Sequence, residues 1–431
     1  MTLRKQKRIV FLIRAFNDID HFTPLIDRVA SGREFEVSVY SVNWKYDLNT
    51  NPNVAYLFKR RGVSVSYLWG GPDSSLGEKL ILWSIAKVSR SVTFFRKRLS
   101  RFNRYRKKCE YWLYAQLPTT KIFGPQKPEV VIFDWMNAEH PRNRSIVMQC
   151  NHENIPTVCL PHGVWVYSNE FATQKRALAD PEKNLYFDLY PCPGKHTDYL
   201  VERGVPVARV VELGSMRYCQ KWLEIYLKEI ANSSYVGRSG SALKLVIFLS
   251  QSFYNVDDDA LCRLISEVSL IPGLDIAIKP HTRGISIEYI QEIMGDNEIE
   301  ICGDVSSVEL IAWADAAIVY GSSIAIQVLS QNKVLLYPDF IDTNTVHFAD
   351  MKACWIVRSA SEMADALRAL SNETAQVPYK RESVDKFLSQ VVYAGKEPGD
   401  VIQDHLDEIM SLVEKHPRLG HGGINRGSSE N

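Results

Sequence analysis

Residues 128–163 read PEVVIFDWMNAEHPRNRSIVMQCNHENIPTVCLPHG, and this stretch decides the fold. Val130–Phe133 and Thr157–Leu160 are short runs that are apolar or nearly so, and the longer, more polar stretch between them reads as a helix. Strands apolar on both faces belong in a parallel sheet covered by helices, so the stretch predicts a strand–helix–strand crossover. Asp134 then stands at the carboxyl end of the first strand, and His162-Gly163 just beyond the second.

The same alternation extends outward. Upstream, Arg8–Ile13, Glu36–Val42 and Val63–Tyr67 read as strands. Downstream, Phe187–Pro191 and Val210–Leu213 read as strands, and Lys195–Arg203 and Tyr218–Ala231 as helices, with Gly204 in a C-cap position. Asn232–Ser241, NSSYVGRSGS, is rich in Gly and Ser and reads as a linker. After it the pattern restarts, with strands at Leu243–Leu249, Leu274–Ile278, Ile299–Ile301, Ala316–Val319 and Val334–Tyr337. Helices are expected at Asp257–Ser269, Ser286–Met294, Ser306–Trp313, Ser322–Ser330, Ser361–Leu370, Ser383–Val392 and Val401–Lys415. The expectation is an α/β chain of two Rossmann-like domains facing a central cleft: 1–235, with a basic helical insert at about 79–112, then 242–415, then a disordered tail at 416–431. Ligands of such folds lie in the cleft outside the carboxyl ends of the strands.

Composition agrees. A chain of 431 residues suits two domains at roughly 150 residues each. An apolar share of 45% is that of a globular protein and excludes a disordered or fibrous one. Lys plus Arg number 51 against 50 for Asp plus Glu, so a global nucleic-acid binder is not expected. The eight cysteines form no CxxC pair, which argues against a zinc ribbon or thiol redox site and for reduced thiols. The apolar run Ile9–Ile13 is too short for a signal peptide, and no run reaches the roughly eighteen apolar residues of a membrane span, so a cytoplasmic location is expected. No GxGxxG opens a helix after a strand and no GxxxxGK[ST] is present, against a dinucleotide dehydrogenase or a P-loop enzyme.

Five constellations carry candidate chemistry. His162-Gly163, after Thr157–Leu160, puts an imidazole and an unhindered backbone at a strand end, as a catalytic or orienting group or as a turn histidine bonded to a local carbonyl. Lys279-Pro-His281-Thr-Arg283 sets three cationic or proton-donating groups within five residues, which is what an anionic phosphate requires; a solvated basic loop is the alternative. Gly321-Ser322-Ser323 turns from a strand into a helix start, where free N–H groups and hydroxyls bind anions, or where a serine simply caps. Asp134, with Glu139 and His140 in the same loop, is a candidate general base or a capping acid. Ser250 and Gln251 end the first strand of the second half, and Arg217 follows Gly214 near the hinge, where each adds polarity to the cleft. Fifth, Arg90–Lys108 holds nine basic residues and no acid, and with the aromatic positions of Lys79–Lys108 it suits an anionic membrane surface, or else a solvated helix over the first sheet.

In this order the constellations resemble the GT-B-fold transferases of bacterial surface-polysaccharide synthesis: sialyl- and polysialyltransferases, capsular Kdo transferases and CDP-glycerol glycerophosphotransferases. Pro128–Gly163 resembles their strand, Asp, helix, strand, His-Gly unit, and Lys279-Pro-His281 and Ser322-Ser323 are similar to their Lys-x-His-Pro loop and Ser-Ser motif. Asp188-Leu-Tyr-Pro-Cys-Pro-Gly194, Gly204-Val-Pro and Val211-Glu-Leu-Gly214 are similar to the segment closing the first domain. The resemblance implies a GT-B enzyme without metal or other cofactor that transfers a sugar or polyol phosphate from a nucleotide-activated donor to a glycan or lipid-linked acceptor. It implies His281, Lys279, Ser322 and Ser323 on the donor phosphate, His162 on the acceptor side and Asp134 as general base. His281-Thr282 departs from the His-Pro pair, and Gln327 stands where nucleotide-sugar enzymes of this fold carry a ribose-binding acid, which favours a CMP- or CDP-linked donor. The alternatives are a UDP-N-acetylglucosamine 2-epimerase-like enzyme and a non-catalytic scaffold at the membrane surface.

Overall fold

Lys7–Ile13, KRIVFLI, is buried at every position but the first, as a central parallel strand must be. The structure, a computed structural model, describes residues 7–95, 100–134, 138–161, 163–168, 185–194, 196–202, 204–231, 235, 237, 243–250, 256–281, 291, 294, 299–372 and 376–416.

The first lobe runs β1 (Lys7–Ile13), α1 (Phe16–Ser31), β2 (Phe35–Ser41), α2 (Pro52–Leu57), β3 (Val63–Tyr67), α3 (Leu76–Phe95), α4 (Ser100–Ala115), β4 (Val130–Phe133), α5 (Pro141–Glu153) and β5 (Thr157–Cys159). Its sheet has the order β3-β2-β1-β4-β5, all parallel. Then follow β6 (Tyr190–Cys192), α6 (His196–Glu202), β7 (Val210–Glu212) and α7 (Gln220–Glu229), with β6 parallel to β7. Gly204 has φ of 83° and ends α6 as expected.

The second lobe runs β8 (Leu243–Phe248), α8 (Asp258–Ser269), β9 (Leu274–Lys279), β10 (Glu300–Ile301), α9 (Ser307–Trp313), β11 (Ala316–Val319), α10 (Ile324–Ser330), β12 (Val334–Pro338), α11 (His347–Asp350), β13 (Trp355–Val357), α12 (Ala360–Ser371), α13 (Arg381–Tyr393) and α14 (Val401–Lys415). Its sheet order is β10-β9-β8-β11-β12-β13, all parallel. Ser306 caps α9 in a reciprocal box with Glu309, which fixes where that helix starts.

Both sheets therefore share one winding. Each first strand is flanked by its second strand on one side and its fourth on the other. The order in which strands are added reverses between β1 and β4, and again between β8 and β11. Such reversals open a crevice at the carboxyl ends of the strands.

Two features correct the sequence reading. Val401–Lys415, assigned by sequence to the second domain, packs against α1 of the first lobe, because Asp400 at its start is held by Arg28 and Lys221, the latter at 2.6 Å. The basic stretch forms two helices, α3 and α4, rather than one. The expected helix at Ser286–Met294, the linker at Asn232–Ser241 and the tail fall wholly or mostly outside the described residues.

Candidate functional site

In the first lobe, Arg14 follows β1 and Asp134 follows β4, and these strands are paired with Leu12 opposite Phe133. Arg14 Nε donates to Asp134 Oδ2. Asp18, in the first turn of α1, accepts the backbone N–H groups of Arg14 at 2.7 Å and Ala15 at 2.9 Å through one oxygen, which lies 3.7 Å from Arg14 Nε. Two carboxyls, 1% and 2% exposed, thus share one guanidinium at the first reversal point. Burial, and then the neighbouring Asp18, push the Asp134 carboxyl well above the usual carboxylate range; Arg14 opposes the shift. A carboxyl so held keeps a proton it can give up and take back.

Other first-lobe candidates are placed differently. Glu139 pairs with Arg144 at 3.1 Å, and its carbonyl accepts from Tyr111 Oη at 2.5 Å, so it braces the start of α5. His140 caps α5, with Nδ1 accepting from Arg142 N at 3.3 Å; burial lowers its pKa to about 4. A Cβ on Gly163 would meet nothing within 4 Å, so the glycine is not required by close packing. His162 lies outside the described residues.

In the second lobe, Phe248 pairs with Lys279 on one side and Val319 on the other, which puts the three strand ends level. Beyond them come Ser250, whose N–H reaches Tyr320 Oη at 3.3 Å, and Gly321. Gly321 has φ of 56°, and a Cβ there would lie 2.9 Å from Tyr167 Oη, so the turn favours glycine. Ser322 Oγ accepts from Ile324 N at 3.3 Å and Ser323 Oγ accepts from Tyr218 Oη at 3.0 Å. Both hydroxyls are engaged as acceptors, which leaves each its own proton to donate. Ser323 itself has helical backbone and makes no side-chain cap.

Lys279 is not brought to these serines. Its Nζ donates to Gly303 O at 2.6 Å, beyond β10 and on the side of β9 away from β11. Strands β9 and β11 stand two spacings apart, about 10 Å. Burial lowers the Lys279 pKa. His281 follows β9, half-buried, while Gln251 and Arg283 lie outside the described residues.

Asp342, in the loop after β12, escaped the sequence reading. Its Oδ1 accepts from Asn344 N at 2.9 Å, and its Oδ2 would be 3.3 Å from a Cβ on Gly321. Burial raises its pKa, and among the described residues it has no cationic partner. A carboxylate beside this turn suits a hydroxyl donor.

The two reversal points are fastened together. Tyr167 Oη donates to Gly321 O, Ser168 N donates to Thr345 O at 2.9 Å, and His347 N donates to Val166 O at 2.8 Å. Tyr218, just before α7, bonds Ser323 and takes the His21 ring edge-on at 5.9 Å. Arg217, expected to add polarity to the cleft, is a strut: it pairs with Asp20 of α1 at 2.5 Å and lies 3.2 Å from His21 Nε2. Burial raises the Asp20 pKa despite this arginine. Sequence reasoning missed Arg14, Asp18, Tyr167 and Tyr218; the cluster of acids directly after the first strand was the available signal.

Among the described residues, no group of three His, Cys, Asp or Glu side chains is placed to hold a metal ion. A groove of about 1190 Å³ lies at the opposite, amino-terminal edge of the first sheet, near Lys7, Arg33 and Gly62, and is not part of this site.

No family model and no curated protein sequence matches the chain. Solved structures do. The UDP-GlcNAc 2-epimerase of Neisseria meningitidis bound to UDP-GlcNAc aligns at 10% identity over 94% of this chain and 100% of that one, with a TM-score of 0.57. The UDP-GlcNAc 2-epimerase of Methanocaldococcus jannaschii aligns at 11% identity over 94% and 99%, with a TM-score of 0.53. The glycotransferase of kitacinnamycin aligns at 12% identity over 94% and 99%, with a TM-score of 0.53. The chain has the GT-B type of fold, two Rossmann-like domains, as the sequence led us to expect.

Proposed function

We propose that the chain is a nucleotide-sugar enzyme that transfers a sugar or polyol phosphate to a glycan acceptor, as in assembly of a surface-polysaccharide precursor. The observation that carries this is a pair of reversal-point crevices, Asp134 and Arg14 in the first lobe and Gly321, Ser322 and Asp342 in the second, with Tyr167 of the first lobe bonded to the Gly321 turn. In this reading, the serine hydroxyl protons and His281 hold the donor phosphate, and Asp342 accepts a ribose hydroxyl. Asp134, once deprotonated, takes the proton of the acceptor hydroxyl, and its raised pKa makes it a stronger base near neutral pH. Fixed donors then carry the charge that develops on the leaving nucleotide. Asp342 supplies at this turn the acid that α10 lacks at Gln327, so the absence of a helix acid no longer sets a CMP- or CDP-linked donor above a UDP-linked one.

Titration calorimetry with CMP, CDP and UDP tests the donor site. His281→Ala and Ser322→Ala should each lose binding of the preferred nucleotide, and unchanged binding in both rejects the assignment. A second reading, epimerisation of the nucleotide sugar, is favoured by the Asp18–Asp134 pair, which is suited to moving a proton at a sugar carbon. Incubating a nucleotide sugar without acceptor separates the two, since only an epimerase converts it alone.

A further inference from the structure

Helix α3 presents apolar side chains outward. Leu76, Leu80 and Trp83 are 81%, 64% and 55% exposed, while Leu82 and Ile85 turn into the core of the first lobe. Positions 76, 80, 83 and 87 fall on one stripe of a helix. The fourth is Lys87, whose Nζ lies 4.1 Å from the Trp83 ring centroid, and Lys79 is exposed beside the stripe. Helix α4 packs on α3 and adds exposed Lys107, Lys108 and Trp112, the last 64% exposed. In sequence, Arg90–Lys108 holds nine basic residues and no acid.

An apolar stripe flanked by Lys79, Lys87, Lys107 and Lys108 differs from scattered surface leucines. Tryptophan, leucine and lysine arranged this way match a bilayer interface, where rings and aliphatic chains enter the headgroup boundary and ammonium groups stay with lipid phosphates. A protein partner would need a groove that is acidic along its whole rim, whereas an anionic bilayer offers that charge everywhere. We infer that the outer face of α3 and α4 docks on an anionic membrane surface. The face also connects to the site, because Tyr111 of α4 holds the carbonyl of Glu139, in the loop that follows Asp134. The inference stands on exposure and charge, and it goes beyond the reading of the cleft.

The test is sedimentation of the full chain with vesicles of phosphatidylcholine alone and of phosphatidylcholine mixed with phosphatidylglycerol. The expected result is partition into the anionic vesicles only, weakened by salt. The doubly substituted Leu80→Ser, Trp83→Ser chain and the doubly substituted Lys107→Glu, Lys108→Glu chain should each lower partition roughly tenfold or more. All of these side chains are on the outside, so circular dichroism and melting should be unchanged. Quenching of tryptophan fluorescence by brominated lipid should fall in the Trp83→Phe, Trp112→Phe chain, a readout that does not depend on charge. Wild-type chain left in the supernatant, equal partition of all variants, or self-association without lipid binding would each overturn the inference.

Discussion

Tyr167 donates its hydroxyl to the carbonyl of Gly321, so the chain that leaves β5 of the first lobe is tied to the turn that opens α10 of the second. Tyr167→Phe removes this part-buried hydrogen bond and should destabilise the protein by about 0.5–1.5 kcal/mol in denaturant unfolding. Gly321→Ala should cost at least as much, because its φ is 56° and the new Cβ would sit 2.9 Å from the same hydroxyl. If both variants melt like wild type, the tie does not join the lobes.

The carboxyl pair has a signed pH signature. Asp18 raises the Asp134 pKa and Arg14 lowers it, so the activity limb governed by Asp134 should move to lower pH in Asp18→Asn and to higher pH in Arg14→Gln. Rate profiles that do not move in opposite directions would remove Asp134 from proton transfer.

Stability should report on the same residue. Its native pKa lies above the unfolded value of about 3.9, so its contribution is full below that pH and is lost as pH rises through the native pKa. Asp134→Asn, neutral throughout, should flatten that loss in unfolding curves taken across the range.

His405 behaves in the opposite sense. It is fully buried on α14, its Nε2 lies 2.9 Å from Gly214 O, and burial lowers its pKa to about 4. Its contribution is full above the unfolded pKa of about 6.5 and is lost as pH falls toward 4, to about 3 kcal/mol. His405→Gln should weaken this acid sensitivity; an unchanged acid limb would assign it to other groups.

Asp342 predicts a preference for ribose. Uridine diphosphate should bind tighter than its 2′-deoxy or 3′-deoxy analogue, and Asp342→Asn should erase the difference with roughly a tenfold loss for the ribonucleotide. A preference that survives the substitution places the ribose elsewhere.

The winding was legible because strands such as Val130–Phe133 and Ala316–Val319 are buried on both faces and therefore read as unbroken apolar runs. Helix α1 was not, since Asp18, Asp20, His21 and Asp27 are buried among its apolar residues and Pro24 lies inside it. Of these, Asp18 belongs to the crevice, Asp20 and His21 hold Arg217, and Asp27 pairs with Tyr56 and Arg60, so part of the signal that hid the helix belonged to the site. Asp134 was legible from its place after a strand, whereas its partners depend on how α1 packs. Lys279 and Arg217 were misread because charge near a strand end says nothing about direction, and each reaches a nearer acceptor: the Gly303 carbonyl and Asp20. Asp342 sits in a loop without periodicity, and only the fold brings it to Gly321.

The return of Val401–Lys415 to α1 also orders events during synthesis. The first helix keeps a bare flank until Val401–Lys415 has left the ribosome, so the Arg28 and Lys221 clasp on Asp400 can form only after the strands of both sheets have been made. A chain stopped before Val401 would therefore carry an open seam along α1, however complete its own sheet.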